Sequence, residues 1–272
     1  METIGNYLLS ALILSLEILF VLSLLASIFS FLGKKNTFYI YNCFGMNGLV
    51  ITGLIGTVVH EFSHMLFCLI FRHEIVEFSL FRPYKSRFDG VMGYVNHSCD
   101  RSSPYQMVGN FFIGIAPIIV GTGCMILFMS ILLPEEFKAT YQTFNQNMAY
   151  MSNINSIGDS LNIYINIVIA IIHNLNPFIG HSWPRYIVFI YIMYSITSHM
   201  DLSKEDIINS RAGLLVFIIF TYLINLIFIV LGIKYQILLL KVLISVFSFL
   251  TVGLFFAFTT MLISKTLDIF IG

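Results

Sequence analysis

Residues 45–71 read GMNGLVITGLIGTVVHEFSHMLFCLIF. The run exceeds the roughly 20 apolar residues a transmembrane helix needs, yet it carries His60, Glu61 and His64 in its interior. Charged side chains at the centre of a bilayer cost about 2.5–3.5 kcal/mol each on insertion scales, so they face a bundle interior and by default mark a function. The i, i+4 spacing of His60 and His64 places both imidazoles on one helical face, where they can hold one zinc ion. The glutamate between them can take a proton from water activated at the metal. The same three residues also read as a buried polar cluster or as a transporter's proton relay. Gly53 and Gly56, one to two turns earlier, admit a closely packed neighbour; that is either room for a metal and a peptide or ordinary small-residue helix packing.

The rest of the chain supports a bilayer as solvent. Its 272 residues are 58% hydrophobic and only 10% charged, against about 25% charged in a typical soluble domain. Fourteen Lys and Arg balance fourteen Asp and Glu, so there is no basic field for a polyanion, and nucleic-acid binding is excluded as a partner class. Cys43, Cys68, Cys99 and Cys124 lie far apart without a CxxC pair, which predicts free, mostly membrane-buried thiols rather than a disulfide framework or a zinc knuckle. The N-terminus lacks the positive region of a signal peptide, so the first apolar run reads as a retained helix.

Further spans are expected over 8–32, 105–133, 214–231 and 237–263, with shorter, broken runs at 161–175 and 186–197. The fold class is therefore an all-α polytopic membrane protein of about six transmembrane helices, a single unit over residues 1–272. One small β-hairpin follows the HExxH helix. Val76, Phe78 and Leu80 alternate with polar residues, Asp89-Gly90 signals the turn, and 91–95 is the second strand. Arg72, Arg82, Lys85, Arg87 and Arg101 on the hairpin side outnumber Lys34 and Lys35 in the preceding loop, which favours a cytoplasmic hairpin. Residues 134–160 read as an interfacial segment, a plain connecting loop or a gate for substrate entry. Glu17, alone in the first helix, reads as a snorkelling or bundle-facing carboxyl rather than a catalytic one.

The HExxH helix, the hairpin directly after it and the stretch from Gly109 to Pro117 together resemble the site-two-protease-like intramembrane zinc metalloproteases. About a third of the chain carries the resemblance. It implies a zinc-dependent endopeptidase in which His60 and His64 bind Zn2+ and Glu61 is the general base. The implied substrate is a membrane-spanning or membrane-anchored protein or peptide. That family takes a third ligand from a later helix, usually in an Asn-Pro stretch ending in Asp-Gly. Here Asn174-Leu-Asn-Pro177 begins such a stretch, but the aspartate does not follow.

Residues 198–207, SHMDLSKEDI, resemble instead an SHMxLSxxDI segment of bacterial members, which implies a multi-pass protein of the bacterial inner membrane. Ser203-x-x-Asp206 is a capping box, so Asp206 falls in the first turn of a new helix. Asp206 is the expected third ligand, with Asp201 and His199 as rivals. His199 is also a candidate to hydrogen-bond a ligand carboxylate from outside the metal shell. Asn96 and Asn110 are candidates to bind a substrate backbone or are structural amides. His73 and His97, which bracket the hairpin, and His173 and His181, which flank the broken region, read as interfacial hydrogen-bonding groups. Two other readings of the whole chain stand beside the protease: a transporter or proton-relay protein, and a non-catalytic zinc-binding scaffold.

Overall fold

The structure, a computed structural model, describes residues 4–150, 157–176, 182–232 and 236–271. The elements run α1 (Ile4–Thr52), α2 (Gly56–Ile70), β1 (Glu74–Ser79), α3 (Ser86–Asp89), β2 (Tyr94–Ser98), α4 (Pro104–Leu132), α5 (Pro134–Tyr150), α6 (Ile157–Asn174), α7 (Trp183–Ser198), α8 (Lys204–Val230) and α9 (Gln236–Ile271). The described residues are thus mostly helical with one two-stranded antiparallel sheet.

Among the described residues, four helices are long and apolar enough to cross a membrane: residues 11–52 of α1, α4, residues 213–230 of α8 and residues 240–271 of α9. This is fewer than the six expected spans. The HExxH run is divided: residues 45–52 complete α1, and α2 is a separate 15-residue apolar helix. The runs at 161–175 and 186–197 form two helices, α6 and α7, neither of which is among the four. His181 and Pro177 lie outside the described residues.

Helix α1 continues through Lys34 and Lys35, with a kink at Gly45, whose φ of 58° only glycine adopts without strain. These two lysines therefore belong to a helix and not to a loop, and the charge comparison between loops that favoured a cytoplasmic hairpin loses one of its terms. The chain breaks instead at 53–55, where Gly53 and Gly56 face α7. A Cβ on Gly56 would collide with the Ser195 carbonyl oxygen, so the glycine is required by close helix approach. The buried Ser195 hydroxyl in turn accepts the N–H of Gly56 at 2.8 Å and of Ile55 at 3.3 Å. It thereby caps the N-terminus of α2 from another helix, satisfying donors that a helix start leaves unpaired.

At its other end α2 closes in a Schellman turn: His73 N–H bonds to the Cys68 carbonyl (2.8 Å) and Arg72 N–H to Leu69 (3.3 Å). Arg72 holds φ 58°, a left-handed conformation for which glycine is the usual choice and which costs a side-chain-bearing residue about 1–2 kcal/mol. The turn delivers the chain into β1. Strand pairing runs from Glu74↔Ser98 to Ser79↔Tyr94, with an irregularity between Ile75 and Glu77.

The hairpin exists as expected, but its second strand starts at Tyr94 rather than Val91. Asp89-Gly90 ends the short α3 instead of forming a tight turn, with Gly90 at φ 76°. Asp89 accepts from Arg82 (2.6 Å) and from the Val91 N–H (2.9 Å). The Val91 bond and the Arg82 charge hold its carboxyl below the usual carboxylate range.

Residues 134–150 form α5, packed on α6 and tied to it by Asn174 Nδ2 donating to Thr140 Oγ1 (2.9 Å). The expectation of a plain connecting loop is thereby corrected over 134–150: Pro134 starts a helix, and the Glu135–Glu136 pair suits its positive first turn. Helix α4 packs against both α2 and α8, and α7 against α2 and α9. The main buried cluster joins Phe29, Ile118, Met125, Ile167, Phe189 and Met193 from four helices, α1, α4, α6 and α7. Glu17 lies on the exposed side of α1.

Candidate metal centre

The site is assembled from α2, α4, the end of α7 and the start of α8. Each contributes an atom that its own local structure leaves available. On α2, the Nε2 atoms of His60 and His64 lie 3.1 Å apart. The other nitrogen of each ring is engaged: His60 Nδ1 donates to the His199 carbonyl at 2.7 Å and His64 Nδ1 to the Ile113 carbonyl at 2.9 Å. A carbonyl oxygen only accepts, so both Nδ1 atoms carry the proton and both Nε2 atoms present a lone pair, the tautomer a metal ligand requires.

The two carbonyls are free for definite reasons. Residue 117, whose N–H would ordinarily bond to Ile113 within α4, is proline and has none to offer. His199 caps the C-terminus of α7, where the last carbonyls have no intrahelical partner. The Gly109–Pro117 stretch thus has a specific role: its proline releases the acceptor that orients His64. Pro117→Ala, which restores an intrahelical donor to that carbonyl, is expected to weaken zinc binding by about tenfold with no loss of helix stability. Competition titration against a fluorescent chelator measures the change; unaltered affinity would remove this role.

Asp206 closes the set. It is buried, with Oδ1 3.2 Å from His64 Nε2 and Oδ2 3.8 Å from His60 Nε2. The capping box is present as read from sequence: Ser203 Oγ accepts from the Asp206 N–H (3.0 Å), and Asp206 Oδ2 accepts from the Ser203 N–H (2.8 Å). The two carboxylate oxygens therefore divide the work, Oδ2 holding the helix start and Oδ1 facing the imidazoles. Gly114 lets α8 approach, since a Cβ there would strike Ser210 Oγ and the Asp206 carbonyl.

Together His60, His64 and Asp206 form a group that can hold a metal ion. Tetrahedral zinc with ligands at 2.0–2.1 Å spaces neighbouring donors by about 3.3 Å. The observed 3.1 Å between the two Nε2 atoms and 3.2 Å from His64 Nε2 to Asp206 Oδ1 fit, and one ligand atom from each of the three residues lies within 4.8 Å of the others. Two imidazole lone pairs aimed at one another also repel until a cation lies between them.

Glu61 is buried, close enough to sense the charges of His60 and Asp206. It lies against the segment that leads into β2: a Cβ added to Gly93 would sit 2.6 Å from Glu61 Cγ. The hairpin connection thus covers the carboxylate that sequence reading placed as a base.

The other candidates are elsewhere. Asp201 packs on Gly33 of α1 and is not part of the ligand group. The His199 ring turns toward α7 and Gly53, with Nδ1 3.1 Å from the Ser195 carbonyl. Its contribution to the site is its main-chain oxygen, not its imidazole, because the helix terminates at this residue. Asn96 is exposed on β2. Asn110 is buried on α4, its Nδ2 donating to Cys99 Sγ at 3.4 Å. A cavity of about 560 Å3 opens between α1, α4 and α8, lined by Ser30, Phe111, Ile115, Ile207 and Ser210 among others; it is lined by none of the three candidate ligands.

Sequence reading missed Ser195, Ile113 and Gly93. Only Pro117 signalled one of them, as the source of a free carbonyl four residues earlier. No family model, curated protein or solved structure matches the chain.

Proposed function

We propose that this chain is a zinc-dependent intramembrane endopeptidase that hydrolyses peptide bonds of membrane-spanning or membrane-anchored proteins or peptides. The observation that carries the reading is the pair of fixed tautomers: two Nε2 lone pairs and one carboxylate oxygen converge, with Glu61 alongside. Three protein ligands leave one position open, as catalytic zinc sites do and closed structural sites do not. Zinc bound there supplies Lewis acidity toward water and toward a peptide carbonyl.

The chain's own residues account for the remaining roles. Glu61 accepts the proton of the attacking water and returns it to the leaving nitrogen. A helical substrate hides its carbonyls in hydrogen bonds and must be extended before it is cut. The hairpin beside Glu61 offers unpaired strand edges on which an extended segment can add. Four helices among the described residues are long and apolar enough to cross a membrane, which supports a centre that substrate reaches from the bilayer.

The test is cleavage of a set of single-span peptides by the full chain purified in detergent, read by mass spectrometry. Cleavage that stops on chelation and returns with zinc is expected. Zinc bound at stoichiometry with every peptide left intact would instead favour the scaffold reading. Zinc flux into liposomes without cleavage would favour the transporter.

A further inference from the structure

Cys68, His73 and His97 form a second group away from the HExxH ligands, with the Cys68 sulfur and one nitrogen of each ring all within 4.8 Å of one another. Cys68 is fully buried and His73 nearly so. His73 Nε2 is 2.9 Å from the Gln106 carbonyl, to which it donates. Its Nδ1 therefore bears the lone pair, and that atom lies 3.1 Å from His97 Nδ1. The spacing matches the edge of about 3.3 Å expected between two nitrogens on tetrahedral zinc.

The arrangement is built rather than incidental. The Schellman turn folds His73 back over Cys68, with Arg72 in the left-handed conformation. A strained residue of this kind persists where surrounding structure requires it. Gly109 on α4 admits the ring: a Cβ there would be 3.0 Å from His73 Nε2. Register then sets His97 on β2 opposite Ile75, two residues beyond His73.

We propose that Cys68, His73 and His97 bind a second metal ion of the thiophilic zinc class, fastening the hairpin to the end of the HExxH helix. One thiolate and two imidazoles are a donor set for zinc or copper(I) and not for magnesium or calcium. The Cys68 thiol releases its proton on binding. Without the ion, the two Nδ1 atoms share a single proton. Cys68 is one turn beyond His64, about 6 Å along the axis, so the ion holds the covering segment at Gly93 over Glu61. This site does not depend on the chain being a protease.

Cobalt(II) distinguishes the two centres, because only a cysteine-ligated ion gives a thiolate-to-cobalt charge-transfer band. The full chain in detergent, metal-stripped and titrated with cobalt, is expected to show that band and to bind two equivalents. The double variant His60→Ala/His64→Ala should keep the band with one equivalent. Cys68→Ser should lose the band and keep the other equivalent. Absence of the band in the unaltered chain at saturating cobalt would overturn the proposal, with no variant needed. Its persistence in Cys68→Ser would overturn the ligand assignment.

Discussion

Glu61→Gln is expected to lower peptide hydrolysis by about 10²–10⁴-fold, the usual contribution of a positioned proton-transfer group, while zinc content stays at its original level. Glutamine has nearly the same shape and fills the same space against Gly93, so the fold and the cover over the site are preserved. What is lost is the ability to accept a proton. His60, His64 and Asp206 remain to hold the ion, and for that reason metal content and activity should separate. Full hydrolysis by a zinc-loaded Glu61→Gln protein would mean that another group activates water.

The second large effect concerns Asp206. Replacing it with Ala is expected to reduce zinc affinity by more than the roughly 10–100-fold that loss of an outer partner produces, since it removes the only carboxylate in the group. The same substitution also removes the capping box, which costs about 1 kcal/mol of stability, so loss of zinc could reflect a frayed helix. Asp206→Asn separates the two effects. An amide oxygen still accepts from the Ser203 N–H, but the charge facing His64 is gone. The Asn variant should melt near the original temperature and still fail to retain zinc through dialysis. Asp201→Ala, whose side chain packs on Gly33, should keep its zinc. The opposite pattern would transfer the third ligand to Asp201.

Much of this centre was legible in the chain. The i, i+4 histidines follow from helical period alone. Asp206 was reachable because a capping box is a local motif whose two hydrogen bonds involve residues three apart. The hairpin was legible from alternation, although its turn was misplaced: Arg82 and the Val91 N–H hold Asp89 within a helical turn, a choice alternation does not register. The division of 45–71 into the end of α1 and a separate α2 was not legible. Hydropathy is uniform across Gly53, and the break is set by the approach of Ser195 on α7, far along the chain.

Sequence by itself therefore determined the apolar character of the long helices, the two imidazoles, the carboxylate between them and the helix start that carries Asp206. All of these depend on composition or on contacts within one turn. Tertiary structure decided which atoms are free to bind. It set the tautomer of His60 through a helix-terminal carbonyl and that of His64 through a carbonyl released by Pro117. It brought Cys68, His73 and His97 together through a turn and a strand register. Hydrogen-bond direction and register come from chain segments meeting in space, and residue spacing along the chain does not encode those meetings.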